Sequence, residues 1–195
     1  MTGDCSHALD RLNELAQPPE NIFFTGSDLH QLDFTNATAI VGSRDCSQKG
    51  LENAFNLSKK LASEGNIIIS GLALGIDSSV FEGALSVDGV CIAVLPSSVD
   101  IITPKSNTHI AKDIIAKRGC LISEYPESSV AKKFTYIRRN ELIAALSSNV
   151  ILAEARENGG AWYTVRAAWK LGRPVSRLGL DGVLHPLSNP QKGLF

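Results

Sequence analysis

A chain of 195 residues, 44% of them hydrophobic, is long enough to bury one sizeable core. Its net charge of −1 excludes a uniformly basic nucleic-acid binder, so any such contact needs a local basic patch. No apolar run reaches the length of a membrane span, and Met1-Thr2-Gly3-Asp4 lacks the basic start of a secretory leader. The four cysteines, Cys5, Cys46, Cys91 and Cys120, are widely spaced without a CxxC pair, and Cys91 and Cys120 fall in apolar runs, as buried free thiols do. A reducing, cytoplasmic setting is therefore expected. The four histidines show no ligand spacing, so neither a metal nor another cofactor is expected.

In chain order, residues 5–16 predict a short helix with Leu9, Leu12 and Leu15 on one side, ended by Pro18-Pro19. Ile22-Phe23-Phe24 predicts a short strand and Gly26-Ser27-Asp28 a turn. Residues 37–41 predict a buried strand that ends in Gly42-Ser43-Arg44, followed by a helix over about 47–63 with Ser47 as its N-cap and Gly65 at its end. The β-branched run 66–69 predicts a buried strand, and the amphipathic run from Asp77 to Val87 a helix. Residues 90–95 predict the next strand, with a loop to Asn107 and a helix, capped by Asn107 or Thr108, to Lys117. Residues 120–123 form another expected strand, followed by a polar loop to about Thr135 and a helix to Leu146. Residues 150–153 are a strand, Gly159-Gly160 opens a helix to Leu171, and Pro174-Val175-Ser176 reads as a last edge strand. Strands alternating with helices predict an α/β fold, a mostly parallel sheet with helices on both faces. The expected division is a helix and edge segment over 1–35, a core over 36–178 and a tail over 179–195.

Right-handed crossovers bring the strand-to-helix loops of such a sheet to one edge, where ligands bind. Three of those loops are glycine-rich: Gly42-Ser43-Arg44, the turn Ser70-Gly71-Leu72-Ala73-Leu74-Gly75-Ile76-Asp77, and Asn158-Gly159-Gly160. Converging glycine turns at helix N-termini suit an anion, and Arg44 adds a fork of donors for phosphate. A second basic element, Lys132-Lys133-Phe134-Thr135-Tyr136-Ile137-Arg138-Arg139-Asn140, interleaves cations with two aromatics, a composition suited to backbone contact and base stacking. Arg139 lies along the apolar stripe of Leu142, Ile143 and Leu146, near a helix N-terminus where a cation opposes the dipole. That position calls for an acidic partner such as Glu124 or for an anionic ligand. Glu154, at a strand end, suits a general base or a carboxylate pairing with an arginine. No nucleophile–base pair is readable from spacing, so no catalysis is expected.

These residues resemble the DNA-processing protein A (Smf) family over about residues 18–175. Residues 70–77 fit its SGLAxGID motif fully, and Val41-Gly42-Ser43-Arg44 fits its preceding glycine–arginine turn. Asp100 to Asn107 follows DxIYPxxN with Thr103 in place of Tyr, and residues 121–126 match LISEYP. Arg139-Asn140 matches an RNR segment whose second arginine is here Glu141; Gly159 and Val165 also depart from the family pattern.

The resemblance implies an extended Rossmann-like domain that binds single-stranded DNA, dimerises, and loads the recombinase RecA during recombination or natural transformation, without chemistry of its own. By position it places Arg44, Gly71, Lys133, Arg139 and Asn140 around the DNA. With the glycine turns this gives an expected site of Gly42, Ser43, Arg44, Gly71, Leu72, Ala73, Gly75, Asp77, Lys133, Arg139, Asn140 and Gly160. Trp162, Tyr163 and Trp169 mark the C-terminal half of the core as the expected homodimer surface. An alternative is a nucleotide-binding sensor or a phosphoribohydrolase of the same superfamily, which Asn158-Gly159-Gly160 and Glu154 faintly resemble.

Overall fold

Short runs of Ile, Val, Leu and Ala, apolar on both sides, are what a sheet covered on both faces requires. The computed structural model of the protein describes residues 7–190. It arranges β1 (Phe23–Gly26), β2 (Ala37–Val41), β3 (Ile67–Ser70), β4 (Cys91–Val94), β5 (Cys120–Ser123), β6 (Asn149–Leu152), β7 (Val175–Leu178) and β8 (Leu184–Pro186) in one sheet. The spatial order is β1-β5-β4-β3-β2-β6-β7-β8. All pairings from β5 through β7 are parallel, and β1 and β8 close the two edges antiparallel.

The six α-helices of the described residues are α1 (His7–Asn13), α2 (Gln48–Ser63), α3 (Ile76–Leu85), α4 (Thr108–Ala116), α5 (Lys133–Leu146) and α6 (Ala161–Lys170). α2, α3 and α4 cover one face, and α1, α5 and α6 the other. Strand alternation sends Ala39, Val41, Ile69 and Ile92 into the core under α5 and α6, and Ile40, Ile68, Ala93 and Leu121 into the core under α2 to α4. The expected mostly parallel α/β architecture is therefore present.

Local chemistry accounts for the element ends. Ser47 Oγ accepts the Gly50 N–H at 3.0 Å and starts α2 where the sequence predicts it. α5 begins at Lys133, before the expected start near Thr135. The reason is reciprocal capping: Thr135 Oγ1 accepts the Lys132 N–H at 3.0 Å and donates to Lys132 O at 2.8 Å. β7 is not the edge strand the sequence predicts, because β8 pairs beyond it with Ser176 opposite Pro186. Leu184–Pro186 is short, exposed and proline-ended, so it carries no apolar alternation to read.

The switch in strand order decides where a ligand can sit. The chain leaves β2 through α2 toward β3, and leaves β6 through α6 toward β7, in opposite directions. A crevice opens between the carboxyl ends of β2 and β6, as in other doubly wound sheets.

Cys91 and Cys120 are buried free thiols, and burial pushes both thiols up to about 12. Cys46 is half-exposed, while Cys5 lies outside the described residues. In a Cys5→Ser chain, a disulfide reagent at about pH 8 is expected to modify Cys46 alone in the native state, and all three thiols only after unfolding. Rapid native labelling at Cys91 or Cys120 contradicts this packing.

Candidate functional site

The crevice at the switch point has a volume of about 410 Å³. Its walls come from the β2–α2 loop (Gly42, Ser43, Arg44 and Asp45), the β3–α3 turn (Ala73 and Asp77), α5 (Tyr136, Arg139, Asn140 and Ile143) and the β6–α6 loop with its helix (Ala155, Arg156, Gly159, Gly160, Ala161 and Thr164). Helical spacing explains the α5 contribution, since residues 136, 139, 140 and 143 share one face. Of the expected site residues, Gly42, Ser43, Arg44, Ala73, Asp77, Arg139, Asn140 and Gly160 meet here. Gly71, Leu72, Gly75 and Lys133 are not wall residues: Leu72 is fully buried at a φ of 57°, and Lys133 is exposed one turn before Tyr136 on α5.

The glycines of the two first loops serve packing within the chain. A Cβ at Gly42 would lie 2.5 Å from Ile76 Cγ1, and one at Gly75, whose φ is 78°, 2.5 Å from Ser43 O. A Cβ at Gly71 would overlap the Arg139 Nη1. The first two glycines let the β2–α2 and β3–α3 loops pack backbone to backbone, and the third makes room for a guanidinium.

Many N–H groups expected to cradle a phosphate there already have partners. Ser43 N donates to Glu154 O at 2.8 Å, Ile76 N to Ser43 O at 3.1 Å, Asp45 N to Ser43 Oγ at 3.1 Å, and Ala73 N to Asp77 Oδ2 at 3.3 Å. Asp77 therefore stands where the sequence suggests an external anion. Gly160 differs: nothing lies within 4 Å of a Cβ built on it, and it opens α6 with no side-chain cap. The positive end of that helix dipole faces the crevice.

Arg139 is the central side chain of the site. It is 5% exposed, and Asp77 beside it is 6% exposed. Burial raises the Asp77 carboxyl above its ordinary value, and the Arg139 charge offsets part of that rise; burial likewise lowers Arg139, with Asp77 opposing. Arg139 Nη1 donates to Val94 O at 3.1 Å, tying α5 to the end of β4. Among the described residues its Nε has no partner, and neither has the buried Thr164 Oγ1. Both residues line the crevice. Asn140 Nδ2 donates to Gly160 O at 3.2 Å and holds the β6–α6 loop against α5. Arg44 lies over the Tyr136 ring at 5.2 Å, a cation–π contact, and Arg156 pairs with Asp45. Three arginines thus face two aspartates.

Three sequence expectations need correction. Glu124 is the partner of Arg138, not of Arg139: Arg138 Nε donates to its two carboxylate oxygens at 3.2 and 2.9 Å, and Nη1 to Glu141 at 2.7 Å. Glu141, which breaks the basic motif, belongs to that ion-pair cluster. Glu154 is neither a base in the crevice nor an arginine partner, because its carboxylate accepts from Ser47 N at 3.0 Å and Ser47 Oγ at 2.5 Å. It packs over Gly50 at the start of α2, away from the crevice wall. Asn107 does not cap α4 through its side chain; its amide donates to Leu72 O at 2.9 Å and Ala73 O at 3.2 Å. This bond holds the turn in which Leu72 takes a positive φ. Thr164, Arg156 and Asp45 are not among the expected site residues; Thr164 stands four residues after Gly160 and shares the helix face at that turn.

The architecture and the crevice define an α/β protein of the extended Rossmann-like class with an arginine-lined site at its switch point. The chain belongs to the DNA-processing protein A family: the family model for DNA recombination-mediator protein A matches residues 6–188. Protein Smf of Escherichia coli strain K12 is 36% identical over 167 residues, 86% of this chain and 43% of that protein. DNA processing protein DprA of Streptococcus pneumoniae is 36% identical over 164 residues, 84% of this chain and 57% of that protein. A solved structure of DNA processing protein A from Helicobacter pylori, described for its single-stranded DNA binding mode, matches with a TM-score of 0.79 and 32% identity. That match covers 87% of this chain and 76% of the other. The chain spans about half the length of the curated relatives it matches. Among the described residues, no helix is long and apolar enough to cross a membrane.

The contact between Gly71 and Arg139 is directly testable. Gly71→Ala is expected to destabilise the protein by about 1–3 kcal/mol through overpacking. In an Arg139→Ala background the same change is expected to cost less than half as much, measured by urea unfolding as a double-mutant cycle. Equal costs in both backgrounds contradict the role assigned to Gly71.

Proposed function

We propose that this chain binds single-stranded DNA along the crevice between β2 and β6, protecting the strand during recombination or natural transformation. The observation that carries this reading is the pair of buried polar groups short of partners among the described residues, Arg139 Nε on α5 and Thr164 Oγ1 on α6, in two residues that line the crevice. Buried donors without partners are costly, and a phosphate oxygen is an acceptor suited to both. The uncapped start of α6 and Arg44 add further attraction for an anion. Lys133, one helical turn before Tyr136, suits the neighbouring phosphate, and Phe134, 60% exposed, or Tyr136 suits a base.

The single-stranded DNA binding of the Helicobacter pylori relative supports the ligand class. Loading of a RecA-type recombinase and homodimerisation belong to the proposal through the family resemblance, as does a cytoplasmic setting. The proposal includes no chemistry on the ligand, and the nucleotide-hydrolase alternative loses its candidate base, since Glu154 is engaged by Ser47.

Titration of dye-labelled oligo-dT at several salt concentrations tests the reading. Arg44→Ala and Lys133→Ala are each expected to weaken binding and to reduce the log–log salt slope by roughly 0.7, whatever the sequence of the strand. Duplex DNA of equal length is expected to bind worse, because its bases are stacked inside and its backbone is stiff. Wild-type affinity and salt dependence in both variants would overturn the site.

A further inference from the structure

We propose that Arg156 is a reserve phosphate ligand of the crevice, held by Asp45 until a phosphate of the incoming DNA takes the carboxylate's place. This rests on the reading of the crevice as the DNA site and adds one ligand and its control to that site.

The two residues stand on facing walls. β2 and β6 are neighbours in the sheet, with Val41 opposite Leu152. Asp45 and Arg156 each follow the end of their β-strand by four residues, and both line the crevice. Their ion pair therefore ties the β2–α2 loop to the β6–α6 loop across the gap between them.

The backbone beneath each residue is fixed, and the charged head is not. Ser43 Oγ donates to Asp45 O at 2.7 Å and accepts from Asp45 N at 3.1 Å. Arg156 O accepts from Gly159 N at 3.0 Å and from Trp162 Nε1 at 3.1 Å. Beyond those anchors the side chains are 77% exposed in Arg156 and 78% in Asp45. Among the described residues, neither side chain has another ion-pair or hydrogen-bond partner. Either head can swing away without disturbing its loop.

The chemistry favours an exchange. An exposed ion pair adds little net stability, because water solvates both partners and holding two side chains costs entropy. A guanidinium fork accepts phosphate in the same bidentate geometry as carboxylate. Arg139 is buried beside Asp77, and Arg44 is seated on the Tyr136 ring, which leaves Arg156 as the wall arginine held by a carboxylate alone. DNA already held at Arg44, next to Asp45 in the chain, presents its following phosphate to Arg156 at high effective concentration. Once displaced, Asp45 remains as a like charge that opposes the phosphate.

The test measures the affinity of dye-labelled oligo-dT and its salt dependence in a double-mutant cycle, with Arg44→Ala as the control for the crevice. Both positions are exposed, so the variants are expected to fold as the wild type does. Asp45→Asn is expected to tighten binding about fourfold, because it frees Arg156 in advance and removes a like charge. Arg156→Ala is expected to weaken binding about threefold and to lower the log–log salt slope by roughly 0.7. In the Asp45→Asn background the same change is expected to cost about tenfold, since no ion pair has to break to make the contact.

A pair that only shapes the loops gives a coupling of opposite sign: each single variant weakens binding, and the second substitution adds nothing. That result overturns the proposal, and so does wild-type affinity in both single variants. In either case, weaker binding by Arg44→Ala leaves the crevice reading standing. Oligo-dT that fails to bind the wild-type chain overturns both.

Discussion

The guanidinium of Arg139, lodged against the bare Cα of Gly71, is the contact on which the crevice depends. A buried arginine carries a desolvation penalty of several kcal/mol unless charge and hydrogen bonds offset it. Asp77 supplies the charge and Val94 O one hydrogen bond. The hydrogen bond joins α5, on one face of the sheet, to the end of β4, and the guanidinium packs against Gly71 in the turn that leads to α3. The glycine is required because any Cβ would overlap the guanidinium. The residual imbalance is a buried Nε without a partner among the described residues, in a side chain that also lines the crevice. The group that locks the scaffold is therefore also the group with binding capacity to spare.

The loops around that centre are held by bonds to one another more than by their own strands. Gly42 admits Ile76, Gly75 admits the backbone of Ser43, and Asn107 reaches from the β4–α4 connection to hold Leu72 and Ala73. Asn140 joins α5 to Gly160. A wall fixed in this way loses little conformational entropy when a ligand arrives, which is the physical basis of preorganised binding. The acidic residues follow the same logic: Asp77 accepts from its own turn, and Glu154 holds Ser47, the N-cap of α2. Arg138 is similar, since Glu124 and Glu141 hold it in an ion-pair cluster on the side of α5 away from the crevice.

The fold was largely legible in the chain. Apolar runs bounded by Gly, Ser and Pro located seven of the eight described strands, most of them because a strand covered on both faces needs an unbroken apolar run. Ser47 and Gly65 marked the ends of α2 because capping is local chemistry. The order of family motifs located three of the loops that form the crevice. Leu184–Pro186 was not legible, since an exposed edge strand of three residues needs no apolar pattern, and the early start of α5 depended on a reciprocal bond to Thr135.

The sequence by itself determined the elements, their alternation and which loops carry glycine and arginine, because those follow from interactions within about ten residues along the chain. Only the tertiary structure decided what each glycine and each charge is for. Gly71 and Gly75 look alike in the sequence, yet one faces a guanidinium and the other a backbone carbonyl. Arg138 and Arg139 are neighbours in the chain, yet helical geometry points them about 100° apart. One therefore pairs with Glu124, and the other feels the charge of Asp77. Pairings of that kind join residues far apart in the sequence, and their partners exist only once the sheet has brought the loops together.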